Sequence, residues 1–182
     1  MDQYFSQVNS IKISPSDQTI IYNNCKDVVR RGIGYPVKRE LLEPFLSEFY
    51  KLYPENLFHK VFGIYLTDPD ATKTDPFWTI HQDMRPCALN IPIHNCGEGA
   101  DTVIFDDTKL QSKATYNNEI KRMNFLLTGE KIVLTKYTQD MYTTYLLNAH
   151  QPHCASNLSR PNRMILSLGP NMPYKEALAT FK

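Results

Sequence analysis

Residues 78–96 read WTIHQDMRPCALNIPIHNC, and within them His81 and Asp83 stand two positions apart. In a β-strand that spacing puts both side chains on one face. If the face is enclosed, a buried carboxylate needs a cation beside it, and a divalent metal is one candidate. The pair alone has a second reading, a hydrogen-bonded pair on a strand, because so short a pattern arises easily by accident. A later segment, residues 146–170, reads LLNAHQPHCASNLSRPNRMILSLGP. It carries His153 at the end of a Pro-containing turn and, ten positions on, Arg163 at the start of an apolar alternation. Two histidines and one carboxylate on a rigid β scaffold are the donors of the facial triad, which leaves three metal positions open and suits non-haem Fe(II). An arginine on a neighbouring strand offers a planar fork for a carboxylate ligand.

The spacing admits a second pair, since Arg160 follows His150 by the same ten positions. Arg160 precedes Pro161, which disfavours a regular strand there, so His153 and Arg163 are the expected pair and His150 a residue supporting the ligands from behind or standing at the entrance. Arg85 shares the parity of His81 and Asp83, and either faces the pocket to hold a substrate carboxylate or lies on a solvated rim. Tyr65 and Trp78 either line the cavity or simply pack in a β core. His94 shares a face with Asn90 if its strand is regular and otherwise belongs to a loop, and His59 carries no functional signal.

The elements that must position these residues are mostly short. Residues 10–23 read as a strand, a Ser-Pro-Ser-Asp turn and a second strand. Residues 38–53 carry a broad apolar stripe at helical spacing, with Leu41, Phe45 and Phe49 four apart, so a helix is expected to start near Pro44 and stop at Pro54. Strands are expected at 62–66, 78–83, 87–93, 102–105, 132–134, 143–147 and 163–168. Residues 109–124 read as a long loop or irregular insertion, and the polar stretches 68–76 and 106–124 are expected to flank the pocket. A helix first and then seven or so strands predict a mainly β domain, a sandwich or jelly roll with helical support from its N-terminal side.

The length of 182 residues suits one domain with a real core. It divides into N-terminal support over 1–60, a β core over 61–170 and a tail over 171–182. Eleven Tyr, nine Phe and twelve Pro against seven Gly favour strands and ordered loops. A formal charge of +1 gives no basic footprint, so nucleic acid is not an expected partner. No apolar run suggests a signal peptide or membrane span, and Cys25, Cys87, Cys96 and Cys154 form no C-x-x-C pair. They read as free thiols, and the chain as a soluble cytoplasmic protein.

The order H-x-D, a distant His and an Arg ten residues beyond it resembles the Fe(II)- and 2-oxoglutarate-dependent oxygenases, which use a double-stranded β-helix. The resemblance runs over about residues 62–169. The wording CALNIPIHNC, and LLN, PH, N, R and LSL in order near the end, looks like small bacterial and phage members related to the aspartyl/asparaginyl hydroxylases. It implies Fe(II) held by His81, Asp83 and His153, O2 as co-reactant, and 2-oxoglutarate as cosubstrate with its distal carboxylate on Arg163. Animal-type members of that branch tend to lack the carboxylate ligand and carry a second arginine on the next strand. Here Asp83 is present and Asn90 takes the arginine's place, able to hydrogen-bond the cosubstrate but not to add charge. A carboxylate ligand, where the family's halogenases have a small residue, implies hydroxylation of a small molecule, amino acid or protein side chain. Two other readings stay open, a non-catalytic metal-binding jelly roll and a cupin-type metalloenzyme that uses no oxoacid.

Overall fold

A computed structural model describes residues 3–29, 34–60, 62–66, 80–99, 101–117, 122–156 and 162–182. The chain is mainly β, with three antiparallel sheets and few helices. In chain order the elements are β1 (Phe5–Val8), α1 (Pro15–Cys25), β2 (Gly34–Val37), α2 (Phe45–Leu52), β3 (Phe62–Leu66), β4 (Cys87–His94), β5 (Asp101–Phe105), β6 (Leu110–Asn117), β7 (Arg122–Gly129), β8 (Val133–Thr138), β9 (Thr144–Asn148), β10 (His153–Ser156), β11 (Met164–Leu168) and α3 (Tyr174–Phe181). A six-stranded sheet has the order β1-β9-β4-β11-β3-β2, a three-stranded sheet β10-β5-β8, and β6 pairs with β7.

The large sheet uses its two faces differently. Leu89, Ile91 and Ile93 of β4 and Met164, Leu166 and Leu168 of β11 form one apolar face. Against it lie Ile21 and Cys25 of α1, Phe45, Leu46 and Phe49 of α2, and Ala177 and Phe181 of α3. Each fully buried Leu, Ile or Phe there contributes about 1.5–3 kcal/mol. The alternate residues turn to the opposite face. Registers put Ser167 opposite both Asn90 and Gly63, Ile165 opposite Tyr65, and Asn90 opposite Tyr145. That inner face carries Asn90 and Ser167, whereas the helices pack on the other.

The small sheet is buried on both sides where it matters. Val103, Phe105, Cys154 and Ile80 form one apolar cluster, flanked by Leu110 and Leu127 of the β6–β7 hairpin. Ile104, Tyr137, Tyr145 and Leu147 form another. Residues 80–83 run extended between the small sheet and the hairpin, with His81 bridged to both His153 and Leu126. The described part of the strand expected at 78–83 is this extended segment.

Several expectations change. Residues 15–25 are a helix, not a second strand, because Ser-Pro-Ser-Asp is a helix start. The Ser14 hydroxyl accepts from the Asp17 amide at 3.1 Å and Pro15 sits at the first helical position. Within 38–53 the helix starts next to Pro44 as expected, as α2, and the residues before it form a separate 3-10 turn at Arg39–Leu42. Residues 109–124 are no irregular loop where described. Leu110–Asn117 pairs residue by residue with Arg122–Gly129. The polar residues hid this because Gln111, Ser112 and Lys113 are exposed and the pairing itself holds the hairpin. β1, β2 and β10 had no clear signal, and 171–182 holds α3, whose Tyr174, Ala177 and Phe181 are buried. No helix among the described residues is long and apolar enough to cross a membrane.

Candidate metal centre

Three backbone anchors fix the site. The His81 amide donates to His153 O at 3.0 Å and the His153 amide returns to His81 O at 2.9 Å, while the Asp83 amide donates to Ala149 O at 2.9 Å. On the other side Leu127 donates to Ile80 O at 2.8 Å. Ile80 is buried in the small sheet's core, so its neighbour His81 is turned the other way. The donor atoms of His81, Asp83 and His153 all lie within 4.8 Å of one another, a set able to hold a metal ion. The His81 and His153 rings have centroids 4.4 Å apart, tilted by 53°.

The local electrostatics suit ligation. His153 Nδ1 lies 2.8 Å from Gln151 O, a bond in which Nδ1–H donates and Nε2 keeps its lone pair. Burial, helped by His81, pushes the His153 pKa down to about 4 against the pull of Asp83, so the ring is neutral at neutral pH. Burial would raise the Asp83 carboxyl, but Arg85, His153 and His81 hold it at about 2. The site therefore presents the Asp83 carboxylate and a neutral His153 imidazole, the forms a metal takes. Two nitrogens and one oxygen suit a divalent transition ion.

A file of polar groups continues from the triad along the inner face of the large sheet. Arg85 Nε donates to Asp83 Oδ2 at 2.8 Å and Arg85 Nη2 to Ser167 Oγ at 2.8 Å. Ser167 Oγ donates to Asn90 Oδ1 at 2.9 Å, and Asn90 Nδ2 to the Tyr137 hydroxyl at 3.2 Å. Arg163, only 1% exposed, stands beyond: burial raises the Tyr137 phenol and the Cys96 thiol, and the charge of Arg163 pulls both down. Arg163 and Ser167 are four strand residues apart, about 13 Å of extended chain. Register adds that Leu168 faces Leu89 and Met164 faces His94, so Asp83 and Arg163 mark opposite ends of β4.

His81, Asp83 and His153 thus come together, and Arg85 joins them through its bond to Asp83. Asn90 lies on the same inner face as Ser167, and Tyr65, opposite Ile165, shares that side of the sheet. His150 is exposed and contributes its carbonyl, not its ring, to Gln82 at 2.7 Å. His94 stacks on Tyr22 of α1 at 3.8 Å, away from Asn90. His59 is exposed, its amide donating to Gly169 O. Trp78, Arg160 and the loop 68–76 lie outside the described residues. Sequence reasoning missed Ser167, Tyr137 and Gln151. Ser167 had a readable signal, as the one polar residue of the β11 alternation and on the parity of Arg163. Compared with protein-family models, with curated proteins and with solved structures, the chain matches none of them.

Proposed function

We propose that this chain is an Fe(II)- and 2-oxoglutarate-dependent dioxygenase, a hydroxylase built on a double-stranded β-helix. The observation that carries the reading is the convergence of His81, Asp83 and His153 within 4.8 Å, with His153 Nδ1 engaged by Gln151. The strand order supports the fold. From β3 onward the chain passes back and forth between two sheets, with β3, β4, β9 and β11 adjacent in the large one and residues 80–83, β10, β5 and β8 adjacent in the small one, where β5 and β8 follow one another across the β6–β7 hairpin. Two antiparallel sheets wound by such alternation are the plan of a jelly roll.

With Fe(II), 2-oxoglutarate and O2 bound, oxidative decarboxylation to succinate and CO2 supplies the oxidising power for hydroxylating a substrate C–H bond. The chain's own part is to hold, orient and exclude water. His81, Asp83 and His153 would hold the ion, which would bind the cosubstrate and O2. The reading also needs the Arg163 side chain to reach back from the far end of β4 to the distal carboxylate of the cosubstrate, which its planar fork would hold. Asn90 and Ser167 line the path between these ends. The buried, free state of Cys25, Cys87, Cys96 and Cys154 supports action in the reducing cytoplasm. The substrate class is a small molecule, an amino acid or a protein side chain.

Incubating the full chain aerobically with Fe(II) and 2-oxoglutarate, with succinate quantified, tests the reading. Slow succinate release that is lost in His153→Ala is expected. Succinate no higher than in that variant, with or without candidate substrates, would argue for a metal-binding protein or a metalloenzyme that uses no oxoacid.

A further inference from the structure

We propose that Arg85 is a positioning residue of the metal centre, holding Asp83 as a one-oxygen ligand and fixing which oxygen faces the two histidines. The inference rests on the metal-centre reading above. Arg85 Nε donates to Asp83 Oδ2 at 2.8 Å, whereas Asp83 Oδ1 lies 3.7 Å from His81 Nε2. One oxygen is taken by the guanidinium and the other is turned to the imidazoles. The same guanidinium reaches Ser167 Oγ at 2.8 Å, and Ser167 is itself fixed by its bond to Asn90. Because Nε and Nη2 belong to one rigid plane, the two bonds tie the Asp83 segment to β11 in a single geometry. Gly169 makes the path possible: a Cβ there would lie 3.0 Å from Arg85 Cδ and 3.1 Å from His59 Cδ2.

Charge and position act on metal affinity with opposite signs, which makes the role measurable. A cation beside Asp83 repels a divalent ion, so if charge alone mattered, removing it would tighten binding. If Arg85 orients the ligand, removing it weakens binding, as loss of an outer-shell partner does by about 10–100-fold.

The test is calorimetric titration of the full chain with Co(II), with the visible spectrum of bound Co(II) read on the same samples, for wild type, Arg85→Gln, Arg85→Lys and Ser167→Ala. Arg85→Gln should bind about 10–100-fold more weakly. Arg85→Lys keeps the charge without the fork and should also bind more weakly than wild type. Ser167→Ala cuts one arm only and should cost less, and all three should shift the Co(II) bands. Arg85→Gln binding as tightly as wild type or tighter, or Arg85→Lys matching wild type in affinity and spectrum, would overturn the role while leaving the metal centre standing. A wild-type chain that binds no Co(II) would overturn the metal centre and this inference with it. If Arg85→Gln does not fold, the lysine and alanine variants decide.

Discussion

The Nδ1 atom of His153 lies 2.8 Å from the carbonyl oxygen of Gln151, two residues earlier in its own chain. This contact selects the tautomer that leaves Nε2 unprotonated and able to ligate. The Gln151 side chain is itself anchored, donating to Phe105 O at 2.7 Å in the small sheet. Gln151→Ala removes that anchor and leaves the metal ligands unchanged. Metal affinity should fall by about 10-fold with little change in melting temperature, measured by titration with Co(II). Unchanged affinity would mean that the turn holds its shape without the side chain.

Gly129 tests the hairpin that braces the site. Its φ of +134° belongs to glycine, and a Cβ there would meet Lys109 O at 2.3 Å. Since β7 holds residues 80 and 81 through Leu127 and Leu126, strain at Gly129 reaches the metal ligands. Gly129→Ala should cost about 1–3 kcal/mol in urea unfolding and weaken metal binding alongside. A variant as stable as wild type would show that the hairpin relaxes freely.

The buried thiols predict an alkaline limit to stability. Burial pushes Cys25 up to about 11 and Cys87 up to about 12, the latter against the charge of Arg85. Unfolded thiols ionise near pH 8.5. A raised folded-state pKa means that the stabilising contribution is complete below pH 8.5 and is lost as pH climbs toward 11–12. The urea midpoint should therefore fall between pH 8.5 and 11, and fall less in a Cys25→Ala, Cys87→Ala double variant. Parallel curves for the two proteins would show that other groups set the alkaline slope.

The sequence displayed the candidate metal ligands better than the scaffold. His81, Asp83 and His153 were legible because a period of two and one Pro-containing turn sufficed to align them. The choice of His153 over His150 followed from Pro161 disturbing the alternative, and His150 is indeed exposed. α1 was lost because its amphipathic pattern is weak, although Ser14, Pro15 and Asp17 spelled out a cap. The β6–β7 hairpin was lost because Gln111, Ser112 and Lys113 are polar and exposed, and its register is set by pairing between strands that no local pattern encodes. The Arg85–Ser167 bond joins residues 82 positions apart in the chain, and no local pattern encodes such a contact.

The central claim is tested most directly by anaerobic addition of Fe(II) and then 2-oxoglutarate to the full chain while the visible spectrum is followed. The account predicts the weak charge-transfer band of the Fe(II)–oxoacid chelate, absent in His153→Ala and requiring far more 2-oxoglutarate in Arg163→Ala. No band from a chain that binds Fe(II) tightly would contradict it, and would leave a β-fold metal protein without an oxoacid.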